Sequence, residues 1–201
     1  MAAASHGRGY PVSVRFAPAG ELTRWKPFVQ WLLVLPHLVV LGVLGIGSVA
    51  VAFVSWVMIL FTGSMPAHLA AFQQLYLRYA NRTVAYAAFL HEGYPPFAFD
   101  LAGADPGDDP GVRTDIASVL EGRNRATVAF RILLAIPHTF LLAILEWVAF
   151  AVAVVAAFVV AATGSWPASL RQVVEGFIRW NARVAGYLLL LTDDYPPFSL
   201  D

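Results

Sequence analysis

The chain of 201 residues has no cysteine, few charges and no net electrostatic bias. Without cysteine there is no disulfide, no thiolate metal site and no thiol nucleophile, and the redox compartment is left open. Charged residues make up 13% of the chain, about half the roughly 25% usual in a soluble globular domain. That shortfall argues against a soluble enzyme of ordinary composition. Thirteen basic residues balance 13 acidic ones, which removes the positive field that nucleic-acid binding relies on. Disorder needs low hydrophobicity and high net charge, whereas 59% of this chain is hydrophobic and its mean hydropathy is +0.66. Serine-hydrolase elbows, phosphate loops, dinucleotide fingerprints and HExxH are also absent.

What is present is apolar length. From Pro27 to Leu77 the chain runs 51 residues without Lys, Arg, Asp or Glu, and Phe28 to Leu60 is almost wholly apolar. A spanning helix needs about 20 such residues. As one helix this stretch would reach about 50 Å, against a hydrocarbon core of roughly 30 Å. A hairpin turning at Gly42, Gly45, Gly47 and Ser48 fits better, because glycine permits a reversal. The alternative is one long helix kinked at Pro36. A cleaved signal peptide fits poorly, since the apolar run starts late and is too long for an h-region. The first span is therefore expected to be retained.

The second half of the chain repeats the first at a constant offset of 101 residues. Leu35-Pro36-His37 recurs as Ile136-Pro137-His138, Thr62-Gly63-Ser64-Met65-Pro66-Ala67 as Thr163-Gly164-Ser165-Trp166-Pro167-Ala168, and Tyr94-Pro95-Pro96-Phe97 as Tyr195-Pro196-Pro197-Phe198. Aligned without a gap, Arg24–Asp100 and Arg125–Asp201 share 26 identities in 77 positions. Such a tandem duplication implies one fold used twice about a pseudo-two-fold axis. The organisation that follows is an N-terminal segment (1–23), repeat 1 (24–100), a Gly/Pro/Asp-rich linker (101–124) and repeat 2 (125–201). The fold class is all-α and membrane-integral.

Each repeat reads as an apolar hairpin or long helix, a Thr-Gly-Ser-x-Pro break where Ser64 or Ser165 can cap the next helix, and a third piece, Ala67–Leu90 or Ala168–Leu191. In the second repeat Arg171, Glu175, Arg179 and Arg183 recur every four residues and wind a charged stripe along one helix face; the first keeps Gln74, Arg78 and Arg82. Polar residues in mid-helix are costly in lipid, so this piece is expected to be an amphipathic interfacial helix. With two hairpins the chain has four spans, and twelve of the 13 basic residues flank the membrane on one side with Arg131 able to reach it. That asymmetry predicts a multi-pass cell-membrane protein with cytoplasmic termini. Six spans would scatter the basic residues over both sides. The run Asp105-Pro106-Gly107-Asp108-Asp109-Pro110-Gly111 has the composition of a solvated linker. Val12-Ser13-Val14-Arg15-Phe16 alternates as a short strand does, but the sequence names no partner for it. Tyr-Pro-Pro-Phe is expected to be extended, with its aromatic rings pinning the end of the third helix at the interface.

Leu-Pro-His within an apolar helix, Thr-Gly-x-x-Pro, paired arginines followed by Ala-Tyr or Gly-Tyr, and Leu-Thr-Asp-Asp-Tyr-Pro-Pro-Phe together resemble a family of bacterial membrane proteins, domain of unknown function 4389, present here as two tandem copies. The first copy departs from it with Leu90-His91-Glu92-Gly93. The resemblance implies an integral membrane protein and supplies no catalytic residues.

His37 and His138 are symmetry mates. They can meet at the axis as a metal or haem pair, or each can hydrogen-bond a carbonyl freed by the preceding proline, which is the favoured reading. Glu146, whose mate is Gly45, sits either in an exposed hairpin turn or, on a continuous helix, as an intramembrane carboxylate of the kind that handles protons or ions. Arg78, Arg82, Arg179 and Arg183 are the candidates for anionic lipid headgroups. Neither a catalytic set nor a metal or cofactor site is expected. The leading expectation is a structural or accessory protein that organises lipid or a membrane partner complex; the alternative is a small transporter or channel acting as a homo-oligomer.

Overall fold

Neither long apolar stretch folds as a hairpin; each forms one extended helical rod. The computed structural model describes residues 9–101 and 111–201, in the order β1 (Val12–Phe16), α1 (Lys26–Leu33), α2 (Leu35–Thr62), α3 (Ala67–Ala87), β2 (Val112–Ile116), α4 (Arg125–Ala129), α5 (Arg131–Thr163) and α6 (Ala168–Leu188). At 1.5 Å per residue the 28 residues of α2 and 33 of α5 make rods of about 42 and 50 Å. Gly42, Gly45, Gly47 and Ser48 all lie inside α2. They turn nothing; Gly45, Gly47 and Ser48 let α3 approach, while Gly42 faces open space. A methyl on Gly47 would stand 3.1 Å from Cζ of Phe72, one on Gly45 3.7 Å from the Tyr76 hydroxyl, and Ser48 donates to the Gln73 side chain. Pro36 does interrupt the first rod: α1 gives way to α2 at Val34, whose backbone stays right-handed. Pro137 lies within α5 without breaking it.

The rods stop at glycine. Gly63 and Gly164 take φ of 75° and 78°, the left-handed conformation that glycine adopts at least cost, and return their N–H to Ile59 and Val160. Ser64 and Ser165 do not cap the helices that follow; they pair with Thr62 and Thr163, and prolines occupy the cap positions.

Beyond the turn, α3 folds back along α2 and α6 along α5. One face of α3 (Gln73, Tyr76, Tyr79) meets α2, and the opposite face (Gln74, Asn81) meets the segment of β2, through Ser118 and Thr114. The third piece of each repeat is therefore an inner helix covered on both sides. Its cover is a two-stranded antiparallel ribbon in which Val12 pairs with Ile116, Val14 with Thr114 and Phe16 with Val112. The alternating segment near the amino terminus is indeed a strand. Its partner comes from the stretch read as a linker; the aspartate run through Pro110 lies outside the described residues.

The ribbon obeys the duplication at an offset of 100, and the repeats exchange parts. β1 packs on α6 and β2 on α3. Leu22 N–H bonds Gly164 carbonyl while Arg123 N–H bonds Gly63 carbonyl, and Trp56 of α2 donates to Val128 of α4 while Phe28 of α1 packs on Phe158 of α5. Each rod thus touches the start of the other near its own end, so α1–α2 and α4–α5 run antiparallel. The result is three layers: ribbon, α3 with α6, and the two rods. Only 11% and 28% of the most apolar windows of the two rods are buried. Both rods are long and apolar enough to cross a membrane, whereas the ribbon side carries exposed Arg15, Arg113 and Asp115.

The contact between the exchanged strand and α6 is tight. A methyl on Gly186 would fall 2.7 Å from Cγ2 of Val12, a buried strand residue that cannot swing aside. Gly186→Ala is expected to cost about 1–3 kcal/mol of stability, measured as lowered thermal unfolding of the detergent-solubilised protein.

Candidate functional site

The chemistry-bearing side chains form equivalent clusters in the two repeats. His37 and His138 are fully buried near the starts of the rods. The Tyr-Pro-Pro-Phe tail of each repeat turns back over them. Phe97 stacks on His37 with centroids 4.1 Å apart and Phe198 on His138 at 3.8 Å, while Tyr94 and Tyr195 pack at 4.7 and 4.9 Å. The tails thus close aromatic cages over the histidines. Nδ1 of His37 lies 2.7 Å from the Tyr79 hydroxyl, and the Trp180 indole donates to Nδ1 of His138 at 3.1 Å. An indole can only donate, so His138 carries its proton on Nε2. The partners are side chains of α3 and α6 rather than carbonyls freed by proline. Among the described residues no hydrogen bond or ring contact joins His37 to His138, and no group of three His, Asp or Glu is placed to hold a metal ion.

Where each tail begins, an acidic residue ties three segments together. Glu92 accepts from the Thr23 amide and from Lys26 Nζ at 2.5 Å. Its mate Asp193 accepts from the Asn124 amide at 3.0 Å, from Arg123 at 2.7 Å and from Arg131 at 2.6 Å. The side chains of Arg123 and Arg131 are 0% and 2% exposed, so both guanidiniums depend on this carboxylate and on the carbonyls of Val119, Leu190, Tyr187 and Thr192. Burial pushes the Asp193 carboxyl up, but the hydrogen bonds from Arg123 and the Asn124 amide outweigh it and hold it below the usual carboxylate range. Burial likewise raises Glu92, and Lys26 with Thr23 brings it below its ordinary value.

Three of the four stripe arginines are buried and Arg179 is half-buried. Arg183 binds the carbonyls of Ser199 and Asp201, Arg82 that of Ala98, Arg179 pairs with Glu175 at 3.0 Å and lies over Phe16, and Arg78 donates to Gln74 at 3.3 Å. Arg171 joins Glu175 to the Ala17 carbonyl. Two arginines counted among the membrane-flanking basic residues, but not among the headgroup candidates, are of another kind: Arg24 and Arg125, the first identical pair of the repeat. Both are exposed. Arg24 lies over the Gly164 turn and Arg125 over the Gly63 turn, at the carboxyl ends of the opposite rods, where the helix dipole favours a cation. Their signal was the identity at position 1 of the gapless alignment, which only the fold turns into a location.

Glu146 is not in a turn. It lies in mid-α5 among Trp147, Phe150 and Leu142, exposed and without a hydrogen bond or ion pair among the described residues. It borders a cavity of about 430 Å³ between the repeats and a smaller groove of about 220 Å³ between α5 and α6.

A family model described as a domain of unknown function (DUF4389) matches residues 24–98 and again 125–199. The chain belongs to the DUF4389 family. The two matched segments stand at the same 101-residue offset as the repeats, and both DUF4389 copies contain the histidine, the stripe arginines and the Tyr-Pro-Pro-Phe tail, while β1 and β2 lie outside them. No curated protein and no solved structure matches the chain.

Asp193 offers a test of the second DUF4389 copy. Because its carboxyl is depressed in the folded state, its stabilisation is present above the unfolded value near 3.9 and is lost as pH falls through the lower folded value. Asp193→Asn is expected to cost about 2 kcal/mol at pH 7, leaving Arg123 and Arg131 short of counter-charge. In thermal scans from pH 7 to pH 3 the difference between wild type and variant should shrink as the wild-type carboxylate protonates.

Proposed function

We propose that this DUF4389 protein is an integral membrane protein of structural or accessory kind, seated in one leaflet with the pseudo-two-fold axis along the membrane normal. The observation that carries this reading is the segregation of layers, with a nearly bare apolar pair of rods on one side and an ionic ribbon on the other. The rods are antiparallel. Standing upright, they would put the Lys26–Glu92 cluster and the Arg123–Arg131–Asp193 cluster on opposite sides of the membrane and carry the ribbon's Arg15–Asp115–Arg113 triad, with its net positive charge, into the hydrocarbon at a cost of several kcal/mol. Lying flat, a helix layer about 10 Å thick fits within half of a roughly 30 Å core. The ribbon then faces water.

In this orientation α3 and α6 lie at headgroup depth beneath the ribbon, and both strands and all basic clusters share one face. The positive-inside tendency makes that face cytoplasmic. Arg24 and Arg125, at the two ends of the rod layer, replace the covered stripe arginines as the contacts for anionic headgroups. A protein of this shape occupies and orders one leaflet, and the ribbon presents a surface for a membrane partner.

Depth measurements test the orientation. Nitroxides at Ile46 and Phe61, which are 77% and 79% exposed, lie about 22 Å apart along α2. The flat orientation gives the two labels similar depths in vesicles. A difference approaching 20 Å would establish an upright placement and favour the oligomeric channel, with ribbons lining its interior. Replacing Arg24 and Arg125 together by Gln is expected to weaken binding of an anionic phospholipid by about 2 kcal/mol, from roughly 1 kcal/mol per arginine, read by titration in detergent.

A further inference from the structure

In the bilayer an unpaired carboxylate on an apolar helix demands a partner. Glu146 has none within the described chain, and the space around it is shaped on two sides. On one side is the cavity of about 430 Å³, walled by Trp31, Leu38, Ala88, Phe150 and Phe177; Glu146 is its only charged residue. The volume falls within the roughly 300–1,000 Å³ of small-molecule sites. On the other side is the groove of about 220 Å³, where Thr139 and Asn181 add polar atoms. The carboxylate stands at the junction of an apolar chamber and a groove that adds two polar side chains.

The duplication supplies an internal control. Around the pseudo-two-fold, Gly45 stands where Glu146 does, Leu188 and Leu189 where Ala87 and Ala88 do, and Tyr76 where Phe177 does. The carboxylate and the two small residues occur together on one side only. On the other side their positions carry no charge and bulkier side chains. A structural role shared by both repeats would not need this pairing of a charge with space.

We propose that the cleft binds a single-chain amphiphile with a cationic amine head, its chain in the cavity between the repeats and its ammonium on Glu146, with the Thr139 hydroxyl and Asn181 amide oxygen as further acceptors. The sign follows from the carboxylate, and the single chain from the volume. The inference rests on the membrane reading only in that lipid surrounds the rods; it is independent of whether they lie flat or upright.

The test uses the full chain in a nonionic detergent. The probes are a hexadecylamine brominated along its chain and, for contrast, the alkyl sulfate of the same chain. Tryptophan fluorescence reports entry, since Trp31 lines the cavity. The amine should quench saturably and the sulfate should not. Glu146→Gln, which keeps the shape, should weaken the amine at least tenfold. Ala88→Leu, which installs the residue the other repeat carries at that position, should abolish saturable quenching. Thermal unfolding that matches wild type shows that both variants fold. Equal quenching by amine and sulfate, or wild-type affinity in Glu146→Gln, overturns the site and reduces the cleft to ordinary lipid contact. Because the label depths at Ile46 and Phe61 are read separately, failure here leaves the orientation standing, and failure there leaves this site standing.

Discussion

A guanidinium in the middle of a helix that also packs on an apolar rod needs acceptors on its far side, and the inner layer of this fold is organised around that need. Arg171, Arg179 and Arg183 on α6, with Arg78 and Arg82 on α3, point away from the rods. Their acceptors are backbone carbonyls of β1 and of the carboxyl-terminal tails, together with Glu175 and Gln74. Those tails are thereby held over the rod starts, where their phenylalanines reach the buried histidines. The histidine cages are in this sense a consequence of the arginine stripes. Withdrawing the ribbon and tails would leave several buried charges unsolvated, a far larger penalty than the loss of any one apolar contact.

Duplication has been kept where geometry requires it and relaxed elsewhere. Glu92 and Asp193 both bridge the backbone before the rod to a cation, but the cation is Lys26 in one repeat and two arginines in the other. Gln30 and Arg131 occupy equivalent positions and both donate to the carbonyl opening the tail, of His91 and Thr192 respectively. Phe89 and Leu190 both take positive φ at the ends of α3 and α6, an arrangement that buried packing sustains in non-glycine residues. The same backbone is thus held by different chemistry. At the cleft beside Glu146 the divergence runs the other way, with one chemistry present and its mate erased.

The duplication, the mainly helical class and the two long apolar stretches were legible in residue order, because identity at a fixed offset and uncharged length are one-dimensional signals. The strand at Val12–Phe16 was legible from alternation, but its partner was not, since antiparallel pairing across 100 residues leaves no local mark. The glycines of α2 misled for a related reason: a small residue serves a reversal or a close helix contact equally well, and only the position of Phe72 and Tyr76 decides between them. The arginine stripe was seen, but its cover was not. A charged helix face looks the same whether lipid headgroups or a ribbon from the opposite repeat lie above it.

By itself, then, the sequence determined that one unit is used twice, that each unit contains an apolar stretch of at least membrane length ended by Thr-Gly-Ser-x-Pro, and that charge is confined to a few stripes and clusters. Tertiary structure alone decided that the rods do not fold back on themselves and run antiparallel, that the strands are exchanged between repeats, that the stripe arginines lie under cover while Arg24 and Arg125 face outward, and that Glu146 stands without a partner among the described residues. The division has a physical cause. Composition and period set what a segment can bury, but which surface it buries against is fixed by contacts between residues about a hundred positions apart.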